Sequence, residues 1–308
     1  MDIYEALASQ AVPIAIEPAE TSYFAPSSPG LDPRLFRGSK LIPAVRSSVL
    51  RILFDHLNTQ YHSPESYVKV WLAGSGVSHQ WTAARTPADL DCLVGINYLK
   101  FRQANQRYKA LSDKQISQMF NQGFGELNTK TRSFLGSFEL TFYANVNPDI
   151  LSIKPYAAYS LTRDDWEVKP EIKGQPKNKL ADQKAAKDSA MAMEILERYA
   201  KALDALHSAP NDVARRNAES ALKLAVDQGA SLFDDIHVGR KAAFSPYGQG
   251  YSDVHNYRWQ AGKASGAVQA LRKLKDIKTQ GKSAFESKTY GMELPTTDVL
   301  IRRAIGGR

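Results

Sequence analysis

The fold of this chain is decided by residues 71–95, which read WLAGSGVSHQWTAARTPADLDCLVG. Residues 67–72 overlap the start of this stretch and are β-rich, so they predict a strand. The turn Gly74-Ser75-Gly76 follows, and its small residues leave backbone N–H groups accessible to a phosphate. After a polar loop, residues 90–94 predict a second strand. The stretch therefore predicts a strand, a turn, a loop and a second strand in succession.

Two carboxylates lie on the second strand. Asp89 and Asp91 are two residues apart, so both project from one face of the strand and the apolar residues between and after them project from the other. Neighbouring carboxylates repel each other unless a cation lies between them. Oxygen ligands favour hard cations, so the pair predicts a site for Mg²⁺ or Mn²⁺.

A third carboxylate is expected on a neighbouring strand, for which residues 137–146 are the candidate. Its apolar face consists of Phe138, Leu140 and Phe142. Glu139 then lies on the opposite, polar face with Thr141 and Tyr143. A carboxylate in so apolar a strand fits metal coordination or acceptance of a proton from an attacking hydroxyl. Asp149 is the alternative third carboxylate, but the proline before it is typical of a strand that has ended.

This ordered set resembles the nucleotidyltransferase fold of the DNA polymerase β-like superfamily. Its pattern is a helix, here predicted from Pro43 to about residue 61, then a strand ending in Gly-Ser, a strand with Asp-x-Asp, and a carboxylate on a later strand. The resemblance covers roughly residues 43–146. It departs from the pattern in the fourteen-residue interval between Ser75 and Asp89, which is slightly long, and in having Glu139 where Asp is commoner.

The resemblance implies a role for each of these residues. Gly74 and Ser75 would bind the triphosphate, Asp89 and Asp91 would bind two metal ions, and Glu139 would complete the metal site and help to activate the acceptor hydroxyl. The chain is then expected to be a metal-dependent nucleotidyltransferase that moves a nucleoside monophosphate from an NTP to an acceptor hydroxyl and releases pyrophosphate. The fold class is expected to be α+β, with a small mixed β-sheet.

A narrower similarity, to bacteriophage-encoded members, rests on two short motifs. They are Asp32-Pro33-Arg34-Leu35-Phe36 ahead of the helix and Tyr156-Ala157-Ala158-Tyr159 after the third strand. In the loop between the Gly-Ser turn and the Asp pair, His79 and Arg85 are candidates for phosphate contacts, and simple exposure to solvent is the other interpretation.

Composition and charge divide the chain into three parts. Residues 1–42 predict an irregular leader, residues 43–173 the catalytic domain, and residues 174–308 an all-helical domain that ends in a basic helix from about residue 258 to 278. Residues 1–170 hold 17 basic and 16 acidic side chains, whereas residues 171–308 hold 23 and 16. The basic second part favours an RNA acceptor such as a tRNA 3′ end, although a solvated helical surface explains it equally well.

A second candidate region is residues 234–260, where basic and aromatic side chains cluster. Arg240 and Lys241 are the candidate phosphate ligands of this region, and an aromatic ring there would stack on a base. The alternative is a helix–loop–helix junction whose aromatic rings pack the two domains together. Two function classes outside catalysis also stay open: a catalytically inactive binding module of the same fold, and a nucleic-acid-binding protein that uses its basic face.

Several classes of protein are excluded. The chain has 308 residues, of which 43% are hydrophobic and 23% charged, and these values are typical of globular proteins. No apolar run approaches the roughly 18 residues of a membrane span, and the first residues lack the pattern of a signal peptide. The single cysteine, Cys92, excludes an internal disulfide. We therefore expect a soluble cytoplasmic protein with no membrane partner.

Overall fold

The computed structural model describes residues 2–18, 24, 27–81, 87–172, 178–245 and 247–295. These residues form a mixed α+β fold with a helical second half, which confirms the predicted fold class at that level. The chain divides into two compact units. The sheet unit comprises Glu20–Asn178 and Lys241–Tyr257, and the helical unit comprises Met1–Ala19, Lys179–Arg240 and Arg258–Arg308.

The units do not follow the predicted boundaries after residues 42 and 173. The start of the chain packs within the helical unit. Helix α1 (Ile3–Ala8) is capped by the Asp2 carboxylate, which accepts a hydrogen bond from the Glu5 N–H. Leu7 on α1 is buried, and its backbone packs so closely on Gly281 that a Cβ there would lie 2.8 Å from the Leu7 Cα. Residues 1–19 are therefore part of the helical unit.

The sheet of the sheet unit has the strand order β5-β4-β3-β6-β7 in the described residues. Its strands are β3 (Val68–Ala73), β4 (Ala88–Ile96), β5 (Phe138–Ala144), β6 (Ala158–Ser160) and β7 (Asp165–Val168). The pair β4–β5 is parallel and the other pairs are antiparallel, so the sheet is mixed as predicted. A two-stranded hairpin, β1 (Phe36–Arg37) and β2 (Lys40–Leu41), precedes it.

Helices cover one face of this sheet. They are α2 (Pro43–Asn58), α3 (Tyr98–Ala104) and α4 (Asp113–Lys130). Proline at the first position starts α2, and α4 begins with a capping box in which Ser112 and Gln115 bond each other's backbone N–H. The apolar faces of β4 and β5 pack into this helical layer. Cys92 is fully buried there, and burial raises the pKa of its thiol, so it is a packing residue rather than a nucleophile.

Side chains of α4 and of the residue after it complete the hydrogen bonds of the edge strand β5. Asn128 accepts from the Phe142 N–H at 2.7 Å and donates to the Phe142 carbonyl at 3.2 Å. Asn121 bonds the N–H and carbonyl of Ala144 in the same way, at 2.7 and 2.9 Å. Thr131 donates its hydroxyl proton to the Leu140 carbonyl at 2.6 Å. These bonds fix β5, and with it Glu139, against the helical layer.

We expect the substitution Asn128→Ala to lower the free energy of unfolding by about 1–3 kcal/mol, because it leaves two backbone groups of Phe142 without a partner. Urea unfolding followed by circular dichroism measures the change. The control is Thr129→Ala, one residue further along the same helix, where the side chain is exposed and bonds only the Gly125 carbonyl in the described contacts. Equal stability of the two variants would contradict the role given to Asn128.

The helical unit is built from long helices with a shared apolar core. They are α5 (Lys179–His207), α6 (Asp212–Ala243), α7 (Val254–Ala264) and α8 (Ala267–Tyr290). The last residues of α6 and the first residues of α7 belong to the sheet unit. The prediction of a single basic helix from residue 258 to 278 is wrong, because the helix is interrupted between α7 and α8. Gly266 has φ of +80° there, and a Cβ would lie 2.4 Å from the Glu17 carbonyl oxygen. No described helix is both long and apolar enough to cross a bilayer.

A buried ion pair joins the helices of this unit. Arg258 on α7 makes a bidentate pair with Asp188 on α5, and the two side chains are only 13% and 9% exposed. The same guanidinium donates to the exposed Asp235 at 2.7 Å. The hydrogen bonds that Arg258 donates to Asp188 raise the pKa of Arg258 above its already high ordinary value. Arg258 is therefore a permanent cation that holds α5, α6 and α7 together.

Candidate functional site

The register of β4 and β5 brings the three candidate carboxylates onto one face of the sheet. Asp89 pairs with Glu139, and Asp91 pairs with Thr141. The alternation predicted from the sequence holds, because the residues between them are buried on the opposite face. Asp89 and Glu139 are half-buried, whereas Asp91 is exposed. We call this surface, which carries Asp89, Asp91 and Glu139, the carboxylate face.

Thr141 is a member of this face whose role the sequence did not reveal. Its hydroxyl donates a hydrogen bond to the Asp91 Oδ1 at 3.2 Å. The contact orients one carboxylate oxygen of Asp91 and leaves the other to face the turn after β3. The alternation of β5 predicts the position of Thr141, but only the parallel register predicts its partner, and register is not visible in one strand alone.

The turn Gly74-Ser75-Gly76 lies directly against the carboxylates. Gly74 has φ of +86°, and a Cβ at this position would lie 3.1 Å from the Asp91 Oδ2. A Cβ on Gly76 would lie 2.8 Å from the Asp89 carbonyl oxygen. Glycine is thus required at Gly74 by the backbone conformation and at Gly76 by the close approach of β4. The chain then forms a 3₁₀ turn, Ser75–Val77, closed by the Ser78 N–H and hydroxyl on the Ser75 carbonyl.

An apolar cluster closes the other end of this face. It contains Trp71, Ala73, Ile150 and Ala158, with Leu93, Ile153 and Val168 packed against them. Asp149, the alternative third carboxylate, does not lie on a strand. Its carboxylate accepts the Leu151 N–H at 3.0 Å and caps a 3₁₀ turn. This structural role favours Glu139 as the third carboxylate of the face.

The loop after the turn is held by the segment before the first hairpin. The Ser28 N–H donates a hydrogen bond to the His79 carbonyl at 2.7 Å. The His79 Nδ1 lies 3.0 Å from the Ser28 carbonyl oxygen. The Trp81 indole N–H donates to the Gly30 carbonyl at 2.8 Å. His79 therefore has a structural partner, and Arg85, the other candidate in this loop, lies outside the described residues.

The motif around Asp32 also has a structural explanation. Asp32 is 1% exposed and binds the Arg34 guanidinium, with Arg34 Nη2 2.6 Å from Asp32 Oδ2. The hydrogen bonds that Arg34 donates to Asp32 raise the pKa of Arg34. The Arg34 guanidinium carbon lies 4.6 Å from the centroid of the Phe138 ring. The pair fixes the chain at the end of the sheet where β5 begins, one residue before Glu139.

The predicted nucleotide ligands Arg240 and Lys241 are divided between the two units. Arg240 belongs to the helical unit, where its guanidinium carbon lies 4.9 Å from the centroid of the Trp259 ring. The same tryptophan packs against His237, with the two ring centroids 5.4 Å apart and the ring planes tilted by 33°. Lys241 is exposed and belongs to the sheet unit. Trp259 therefore packs against α6 within the helical unit, and phosphate binding by Arg240 and Lys241 stays a prediction.

The donor set of the carboxylate face fits a hard divalent cation, because its oxygens come from three carboxylates. Glycine at position 74 lets the turn after β3 pack directly against the Asp91 carboxylate, where a Cβ would come within 3.1 Å of Oδ2. Within the described residues, however, no group of three or more His, Cys, Asp or Glu side chains is arranged so that it could hold a metal ion.

Comparison of the chain with protein-family models, with curated proteins and with solved structures finds no match. The functional assignment therefore depends on the arrangement of the side chains themselves.

Proposed function

We propose that this protein is a metal-dependent nucleotidyltransferase of the DNA polymerase β-like type, which transfers a nucleoside monophosphate from an NTP to an acceptor hydroxyl. One observation carries the proposal: Asp89 and Asp91 on β4 and Glu139 on β5 share a face, and the glycine turn after β3 packs directly against Asp91. In this proposal, the carboxylates that would bind the cation lie beside the turn that would bind the phosphate.

The turn would bind the triphosphate of the NTP through its backbone. The Gly74 N–H already donates to the Ala157 carbonyl at 3.4 Å, so the donors toward a phosphate would be the N–H groups of Ser75 and Gly76. The close packing of Gly76 on the Asp89 carbonyl keeps these donors near the carboxylates. Binding and orientation of the α-phosphorus are the contribution of this segment to the rate.

Asp89, Asp91 and Glu139 would hold Mg²⁺, or Mn²⁺ in its place. When bound, the metal supplies positive charge that stabilises the transferred phosphoryl group and the leaving pyrophosphate. Thr141 keeps the Asp91 carboxylate in one orientation. Glu139 would accept the proton of the acceptor hydroxyl. The hydroxyl oxygen then forms a bond to the α-phosphorus, and the bond between the α-phosphorus and the pyrophosphate oxygen breaks.

The test is incubation of the purified protein with each α-³²P-labelled NTP, Mg²⁺ and total cellular RNA. We expect label on RNA with at least one NTP and its complete loss in EDTA, since the three carboxylates cannot stabilise the transition state without a cation. If the label appears on protein or on a small molecule, the proposed reaction stands, but its acceptor is that molecule rather than RNA. The opposite outcome is nucleotide or RNA binding without transfer to any acceptor, which would contradict catalysis and favour an inactive binding module.

A further inference from the structure

The carboxylate face continues into a row of apolar side chains. Trp71 pairs with Leu93 across β3 and β4, and Leu93 pairs with Tyr143 across β4 and β5. The three side chains therefore cross the sheet next to one another on the same face as the carboxylates, and we call them the apolar row. Asp91 and Thr141 form the neighbouring row, because residues two apart along a strand share a face.

Only one end of the apolar row is open to a ligand in the described part of the chain. Trp71 is 4% exposed and packs in one apolar cluster with Ile150. Leu93 is partly buried against this cluster. Tyr143 on the edge strand β5 is 54% exposed. Its position beside the carboxylates, more than its exposure, makes this ring a candidate ligand contact.

The strand order separates the two substrates of the proposed reaction. The phosphate-binding turn follows β3, on one side of β4, whereas Glu139 and Tyr143 are on β5, on the other side. Glu139 is the group proposed to receive the proton of the acceptor hydroxyl. A molecule that contacts both Glu139 and Tyr143 would therefore be the acceptor rather than the NTP.

We propose that Tyr143 is a stacking platform for a base near the 3′ end of a single-stranded RNA acceptor, an inference that rests on the proposed function. Along the strand, Tyr143 is about 7 Å from the Asp91–Thr141 row and about 13 Å from the Asp89–Glu139 row, distances that the terminal nucleotides of a strand can span. Aromatic side chains that stack on unpaired bases, next to groups that handle the backbone, are the usual means of binding single-stranded RNA.

The test is fluorescence anisotropy with a fluorescein-labelled single-stranded RNA oligonucleotide and with an abasic oligonucleotide of the same length. We expect Tyr143→Ala to weaken binding of the RNA by about tenfold, within the range known for loss of one base–aromatic stack. Tyr143→Phe keeps the ring and should bind like the wild type. Binding of the abasic oligonucleotide should not change, because it offers no base to the ring.

The matched control is Tyr290→Ala, since Tyr290 on α8 is 56% exposed and lies outside both candidate regions. Equal binding of RNA by the wild type and Tyr143→Ala would overturn the inference, as would an equal loss with the abasic oligonucleotide. If Tyr143→Ala weakens binding of the NTP and not of the RNA, the inference is also overturned, because the ring then contacts the NTP rather than the acceptor.

The binding measurement uses neither NTP nor metal, so its outcome is independent of turnover. If the wild type transfers nucleotides to RNA but Tyr143→Ala binds RNA normally, the stacking role fails and the proposed function stands. If Tyr143→Ala loses base-dependent binding but the wild type transfers nothing, the proposed function fails and the RNA contact stands.

Discussion

The substitution Asp91→Asn is expected to reduce nucleotide transfer by about a thousandfold or more. An amide of the same shape keeps an oxygen that can accept the Thr141 hydroxyl proton, so the local packing is retained, but it removes the negative charge that a cation needs. Loss of several kcal/mol of electrostatic stabilisation in the transition state corresponds to this factor. The initial rate of transfer from the labelled NTP, measured across Mg²⁺ concentrations, checks the prediction.

The control for Asp91→Asn is Asp55→Asn, which removes an exposed carboxylate from α2 on the helical side of the sheet. Both variants lose one negative charge, and neither should change the melting temperature by more than a few degrees. Transfer by Asp55→Asn should equal that of the wild type. Full activity of Asp91→Asn would remove the carboxylate face from the mechanism, whichever acceptor is used.

The largest effect on stability is expected from Arg258→Met in the helical unit. Methionine retains much of the apolar stem but leaves the Asp188 carboxylate, 9% exposed, without its cation. Removal of one partner of a buried ion pair costs about 3–5 kcal/mol, because the remaining charge stays desolvated. Urea unfolding followed by far-ultraviolet circular dichroism, which reports mainly on the helices, measures the loss.

Two further variants separate charge from packing in this network. Asp235 is 67% exposed, so Asp235→Asn should cost no more than about 1 kcal/mol. The double variant Arg258→Met/Asp188→Leu removes both buried charges and should recover most of the stability lost in Arg258→Met. If the double variant is as unstable as the single one, loss of packing rather than an unpaired charge explains the effect.

The sequence predicts much of the sheet unit because its signals are local. The alternation in β4 and β5 places Asp89, Asp91 and Glu139 on polar positions of their strands, and Gly74 requires a conformation that favours glycine. Ser112 is recognisable as a helix cap without reference to the rest of the chain. These features depend on residues within a few positions of one another, which is the range over which a sequence pattern is informative.

Features that depend on distant partners were not predictable in the same way. The hydrogen bond from Thr141 to Asp91 joins residues fifty positions apart and follows from the parallel register of two strands. The break at Gly266 follows from close approach to Glu17, near the other end of the chain. The assignment of the first residues to the helical unit depends on the contact of Leu7 with Gly281. In each case the helical or strand propensity of the segment itself contains no information about the partner.

The side chains that complete β5 have a consequence for self-association. Exposed edge strands tend to recruit strands from other molecules, and proteins commonly protect them with charges, prolines or bulges. Here Asn121, Asn128 and Thr131 occupy the outward hydrogen-bonding groups, so an incoming strand must first displace several bonds worth about 0.5–1.5 kcal/mol each. Variants that lose these amides are therefore expected to aggregate through β5, next to Glu139, before they lose the fold as a whole.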